Sequence, residues 1–168
     1  MLRKPQDPII AAGRIYAVAG THALASPDGS GRDNFALIDG RGGRTTIPAP
    51  ASPWPAGDAV ASPDGHYIAT TFANPACPGP QQCLDIWLLD LTSHRWLHLP
   101  SMPTAAALKF TGLTWASDGR VVIVGSFDSV GDAIAIWRPG QHQLQLRTIP
   151  MPSNRSPAVL AWRIASTR

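Results

Sequence analysis

ASPDGHYIATTFANPACPGPQQCLDIWLLDLTSHRWLHLP, residues Ala61 to Pro100, is the stretch whose reading decides the fold. Pro63-Asp64-Gly65 has the chemistry of a tight turn: proline presets φ, aspartate hydrogen-bonds backbone a residue or two on, and glycine accepts a positive φ. Extended segments flank it. A loop bounded by Cys77 and Cys83 follows, then the apolar run Leu84 to Asp90, a turn through Thr92 and Ser93, and a last segment ending Leu99-Pro100. This reads as four short strands: A near Asp58 to Ser62, B at His66 to Phe72, C at Leu84 to Asp90 and D at Arg95 to Leu99.

The unit recurs. Its C strand, IWLLD from Ile86, matches FALID from Phe35 and IAIWR from Ile134, at offsets of 51 (86 − 35) and 48 (134 − 86). The apolar-Pro ends Ile47-Pro48, Leu99-Pro100 and Ile149-Pro150 lie 52 and 50 apart, and Gly13, Gly65 and Gly119, each before an apolar strand, lie 52 and 54 apart. On this register the third unit has A at Phe110 to Ala116, B at Arg120 to Gly125, C at Ala133 to Arg138 and D at Gln143 to Thr148. The first shows only B (Arg14 to Ala19), C (Asn34 to Asp39) and D (Arg44 to Ile47), and Ser26-Pro27-Asp28-Gly29 becomes a loop tip. Pro157 to Ile164 matches a strand A through Leu160-Ala161-Trp162 against Leu113-Thr114-Trp115, so the missing strand is expected there.

A period near fifty belongs to propeller blades rather than to helical arrays. The C strands are apolar at consecutive positions, which needs both faces of the sheet covered. The fold expected is therefore all-β: one domain over residues 1–168, with blades of four antiparallel strands near 11–48, 57–100 and 108–150, a closing strand at 157–164, and no helix longer than a turn or two. Trp87, Trp115, Trp137 and Trp162 fall in these strands, where large rings fill gaps between splayed sheets. Rings usually close with about four to eight blades. The closing strand is thus expected to pair with blades preceding this sequence, since Met1 to Ile10 starts abruptly where strand A belongs, or, as second choice, with another chain in a six-bladed homodimer.

SPDGHYIA followed by DIWLLDL, and WASDGRVVIV followed by AIAIWRP, resemble the TolB-like repeats, also called WD40-like or PD40 repeats. The resemblance spans essentially the whole chain, but only the second unit matches closely. The third keeps Asp118 and Gly119, and the first keeps only Gly13. It implies a propeller scaffold of the kind found in periplasmic envelope proteins that bind other proteins, and in the gating propellers of prolyl-oligopeptidase-type peptidases. Asp64, Gly65, Asp118 and Gly119 read as structural turn residues, the carboxylates accepting hydrogen bonds from backbone N–H groups.

Composition narrows the function. The 17 Pro and 15 Gly in 168 residues leave little room for helices. The net charge of +3 is scattered, and Arg32, Arg41 and Arg44 read as solvated loop charges, so nucleic acid is not expected as a partner. Arg14, Asp85 and Arg138 interrupt the apolar runs before the roughly 18 residues a span requires. Pro5, Gln6, Asp7 and Pro8 stand where a signal peptide would have its apolar core. The Pro78-Gly79-Pro80 bend between Cys77 and Cys83 predicts a local disulfide, worth about 2 kcal/mol, and with it an oxidising, extracytoplasmic compartment; the alternative is two reduced thiols in the cytoplasm.

No catalytic, cofactor-binding or metal residue is predicted. Gly-x-Ser-x-Gly is absent from the sequence, and the glycine runs at 29–31 and 40–43 lack the P-loop lysine. His94 and His98, read as one face of strand D, would stand about 13 Å apart at about 3.3 Å per residue, too far to chelate. Asp28, Asp33, Asp128 and Asp132 could offer oxygen to Ca²⁺, but turn formation explains them equally well. The expectation is a non-catalytic scaffold that binds a protein partner, or a ligand, at the cell envelope or exterior. Its rival is an accessory propeller of a larger hydrolase, with a propeller that is itself a lactonase- or sialidase-type enzyme third.

Overall fold

Thirteen β-strands, and among the described residues no helix, make up the computed structural model, which describes residues 14–26, 34–50, 59–74, 83–106, 112–128 and 130–149. They form three four-stranded antiparallel units. The first is β1 (Arg14–Ala19), β2 (His22–Ser26), β3 (Asn34–Ile38) and β4 (Arg44–Pro48), paired in that order. The second is β5 (Val60–Ala61), β6 (Tyr67–Asn74), β7 (Cys83–Asp90) and β8 (Arg95–His98). A two-residue strand, β9 (Ala105–Ala106), precedes the third: β10 (Gly112–Trp115), β11 (Val121–Phe127), β12 (Gly131–Trp137) and β13 (Gln145–Thr148). β9 pairs with the start of β7 (Cys83↔Ala106, Leu84↔Ala105) and the end of β11 (Phe127↔Ala105), joining the last two units at one end. The sequence carries no signal for so short a bridge.

Two readings of the first unit are corrected. Arg14–Ala19 is strand A, not B, because Gly20 and Thr21 turn the chain directly into His22–Ser26, which is strand B. Gly20 supplies the positive φ of +56° that a two-residue hairpin turn demands. The turn glycine of this unit is therefore Gly20, 45 residues before Gly65 (65 − 20), and not Gly13. With β1 in place the first sheet has its own inner strand, so the premise that residues 157–164 must complete it falls; those residues, like Gly13 and Cys77, lie outside the described residues.

The second sheet is the middle layer, and the two-residue period of its strands sorts its side chains. Ile68 and Leu89 are register partners that face the first sheet, where Ala19, Leu24, Phe35, Leu37 and Ile47 are buried with them. Ala69 and Leu88, one position along, face the third sheet and pack with Val121, Ile123, Ala133, Ala135 and Trp137. The unbroken apolar run of β7 is thus explained: Leu84, Ile86 and Leu88 serve one interface and Trp87 and Leu89 the other. Fully burying each such side chain is worth about 1.5–3 kcal/mol.

Indole N–H groups fasten neighbouring sheets. Trp96 on β8 donates to the carbonyl of Pro48 on β4 at 2.8 Å, at the outer rim. Trp115 on β10 donates to the carbonyl of Val60 on β5 at 3.0 Å, at the inner rim, and stacks on Tyr67 with centroids 6.2 Å apart. At the A-to-B turns, a Cβ on Gly65 would lie 3.4 Å from the backbone nitrogen of Gly20, so the turns of the first two units touch. Gly65 also has a φ of +72°, and any side chain there meets both strain and a neighbour.

Candidate interaction surface

The two ends of the stacked sheets differ in kind. A-to-B and C-to-D connections lie at one end, the turn end, and B-to-C and D-to-A connections lie at the other, the loop end. Carboxylates at the turn end hydrogen-bond to their own hairpins. Asp64 accepts from the His66 N–H at 3.0 Å and from the Ser62 hydroxyl at 2.6 Å, and that hydroxyl in turn accepts from the Tyr67 N–H. The Ser62 hydroxyl, then the His66 N–H, hold the Asp64 carboxyl below its usual range. Asp118 accepts from the Arg120 N–H at 3.2 Å and pairs with its guanidinium at 2.8 Å. Asp39 accepts from the Gly43 and Arg41 N–H groups, which lower its pKa. Burial raises the Asp90 carboxyl, but the Thr92 N–H and the Ser93 hydroxyl and N–H outweigh it, and the net shift is downward. Each stabilises a hairpin as a carboxylate.

The loop end carries a different cluster on the second unit, on the face turned toward the first. Asp85, half-buried, accepts from the Asn74 side-chain amide at 3.1 Å and stands 3.6 Å from Nε2 of exposed His98. The His98 ring lies 4.7 Å from the Trp87 ring, its register partner. Trp87 Nε1 and the hydroxyl of Thr70 opposite it are buried and have no hydrogen-bond partner among the described residues. An unmatched buried polar group costs about 1–3 kcal/mol. Nearby, the backbone N–H of Asp128 meets the Thr104 carbonyl at 3.1 Å and its carboxylate accepts from the Thr104 hydroxyl.

Asn74, Asp85, Trp87 and His98 escape sequence reading because they lie at distances of 2 to 24 residues along the chain and converge only through the β6–β7–β8 register. The one available signal was Asp85, a charge inside the apolar run of β7. Cys83, the first residue of β7, is opposite Asn74; its pairing with Cys77 falls outside the described residues. His94 is in the turn before β8 with a φ of +57°, so it does not share a strand face with His98. Among the described residues no three His, Cys, Asp or Glu side chains gather closely enough to hold a metal, and no helix is long and apolar enough to cross a membrane.

Three four-stranded antiparallel sheets stacked face to face, with strand A innermost, define β-propeller blades. A solved structure agrees on the fold. The chain is similar to the β-propeller domain of the Trilobed protease from Pyrococcus furiosus, described as having an open velcro topology, with 18% identity, a TM-score of 0.56, and coverage of 83% of this chain and 43% of that one. A weaker likeness, TM-score 0.47 and 14% identity, is to Kuenenia stuttgartiensis hydrazine synthase, over 80% of this chain and 41% of that one. The chain therefore spans less than half the length of either. No family model and no curated protein matches it.

Proposed function

We propose that these blades form a non-catalytic scaffold that holds a protein partner at the loop end, through the surface built by Asn74, Asp85, Trp87 and His98. The observation that carries this reading is the cluster itself: exposed His98 stands 3.6 Å from Asp85 and against the Trp87 ring, so one patch offers ionisable groups beside an aromatic face. The resemblance to TolB-like repeats supports an envelope or extracytoplasmic setting. A Cys77–Cys83 disulfide would agree with it, and alkylation of both thiols in non-reduced native protein would sink that bond. The test is affinity capture from an envelope extract with the unaltered chain and with Asp85→Lys and His98→Glu. A partner bound by the first and lost with either variant supports the proposal; one retained equally by all three places binding elsewhere.

A second reading, a propeller that controls access to a hydrolase site on another domain, is favoured by the likeness to a protease's propeller domain. Its discriminator is an adjoining or longer reading frame carrying Gly-x-Ser-x-Gly.

A further inference from the structure

The six connections of the turn end all lie within the described residues, and each blade brings charge there. On the first, exposed Arg41 and Arg44 are set against one carboxylate, Asp39. On the third, one carboxylate, Asp118, lies 2.8 Å from the Arg120 guanidinium and 3.8 Å from that of Arg138. The second carries two carboxylates, Asp64 and Asp90, and one guanidinium, Arg95. With histidine neutral the three blades therefore hold +1 (2 − 1), −1 (1 − 2) and +1 (2 − 1). Four of the five histidines stand at this end too: His22 on the first blade, His66 and His94 on the second, His142 on the third. With those imidazoles protonated the blades hold +2 (1 + 1), +1 (−1 + 2) and +2 (1 + 1). We propose that the turn end is a docking face for an anionic phospholipid bilayer, engaged in acid, when the middle blade changes sign and charge is positive across all three.

The chemistry of the face favours that occupant. Guanidinium forks match phosphate oxygens two at a time, and sheets stacked about 10 Å apart spread the charge across a plane rather than into a pocket. A protein partner usually meets an apolar centre, but the exposed large apolar side chains among the described residues are Ile15 and Val18, both on β1. Single-stranded nucleic acid is gripped by stacking on exposed rings, whereas Tyr67, Trp96, Trp115 and Trp137 beside these turns are buried or half-buried. Histidine is the side chain that ordinarily changes charge between pH 5 and 8. Asp39 faces His22, and Asp64 and Asp90 face His66. His94 is flanked by Ser93 and Arg95, and His142 shares a turn with Arg138, whose carbonyl accepts from the Gln141 N–H. His66, His94 and His142 are exposed, so a proton reaches each without any opening of the fold. Docked this way, the chain turns its loop end, with Asn74, Asp85, Trp87 and His98, away from the bilayer.

The test is co-sedimentation of the full chain with vesicles of phosphatidylcholine alone and of phosphatidylcholine and phosphatidylglycerol in equal parts. Binding to the mixed vesicles is expected to tighten about tenfold or more between about pH 7.5 and about pH 5.5, since each basic charge at an anionic surface is worth about fivefold. Salt that shortens the Debye length from about 10 Å to about 3 Å is expected to release the chain. His66→Gln combined with His94→Asn, asparagine being suited to the φ of +57° at that position, is expected to remove most of the acid gain. Arg44→Gln combined with Arg95→Gln is expected to weaken binding at both pH values. Absence of binding to mixed vesicles in acid, equal binding at both pH values, equal binding to phosphatidylcholine alone, or an undiminished acid gain in the histidine pair would each overturn the proposal. Tighter binding in acid to soluble polyglutamate or to a DNA duplex than to the mixed vesicles would assign the face to that polyanion and equally overturn it. Asp85 and His98 are unaltered in every arm, so failure here leaves the loop-end reading standing.

Discussion

The interface between the first and second blades is centred on a cluster of touching rings, whereas the one between the second and third, beyond its Tyr67–Trp115 stack and buried Phe127 and Trp137, is filled by aliphatic side chains. At the first, Phe35 meets Phe72 edge-on at 5.9 Å, Phe72 meets Trp96 at 5.2 Å, and Tyr16 and Trp96 complete the group around Phe35 at 5.5 and 5.6 Å. At the second, Leu84, Ile86 and Leu88 oppose Val121, Ile123 and Ala135, and β9 adds backbone pairing to both sheets. Wide gaps between splayed sheets can be filled by a few large rings or by closer approach of small side chains. The aromatic solution concentrates the stabilisation in a few side chains, whereas the aliphatic one spreads it over many and adds hydrogen bonds. The first blade is thus the more easily detached.

That contrast can be broken by mutation. Phe72→Ala removes the ring shared by both blades and is expected to cost about 3–5 kcal/mol, with exchange protection lost first across β1 to β4. Ile123→Ala, read by chemical denaturation, is expected to cost less, about 2–5 kcal/mol at the general level for its type and toward the lower end here because β9 still ties the sheets. Equal and global loss of protection in both variants would erase the distinction between the interfaces.

The indole fastenings sharpen the comparison at a smaller scale. Trp96→Phe and Trp115→Phe each retain a ring and remove one hydrogen bond to a neighbouring carbonyl, for an expected loss of about 1 kcal/mol. Exchange is expected to quicken at Pro48's neighbours on β4 in the first variant and around Val60 in the second. The smallest effect is expected at the turn. The Asp64 pKa is lowered in the folded chain, so its contribution is present above the unfolded value near 3.8 and lost as pH falls through the folded value. Asp64→Asn should therefore lower the thermal midpoint at neutral pH, and the gap to the unaltered chain should narrow below about pH 3.8. A gap that widens on acidification would mean the carboxylate does not stabilise the turn.

Much of the architecture was legible because it rests on local chemistry. The Pro63-Asp64-Gly65 turn, the apolar C strands and the Ile/Leu-Pro ends of strand D mark the second and third blades to within a few residues of their observed strands. The first blade was misread because its hairpin uses Gly20-Thr21 without proline or aspartate, and a register anchored on Gly13 shifted one strand's identity. The loop-end cluster was not legible at all, since Asn74, Asp85 and His98 are ordinary polar residues until cross-strand register sets them together.

The amino-acid sequence by itself determined the repeat, the all-β class and the turn-end carboxylates, because turn propensity and short unbroken apolar runs act over a handful of neighbouring residues. Tertiary structure alone decided which face of β7 meets which blade, that β9 bridges two sheets, and that Trp96 and Trp115 fasten across 48 and 55 residues of chain. Those outcomes depend on how twisted sheets stack, and no local pattern encodes the partner of a side chain across a gap between sheets.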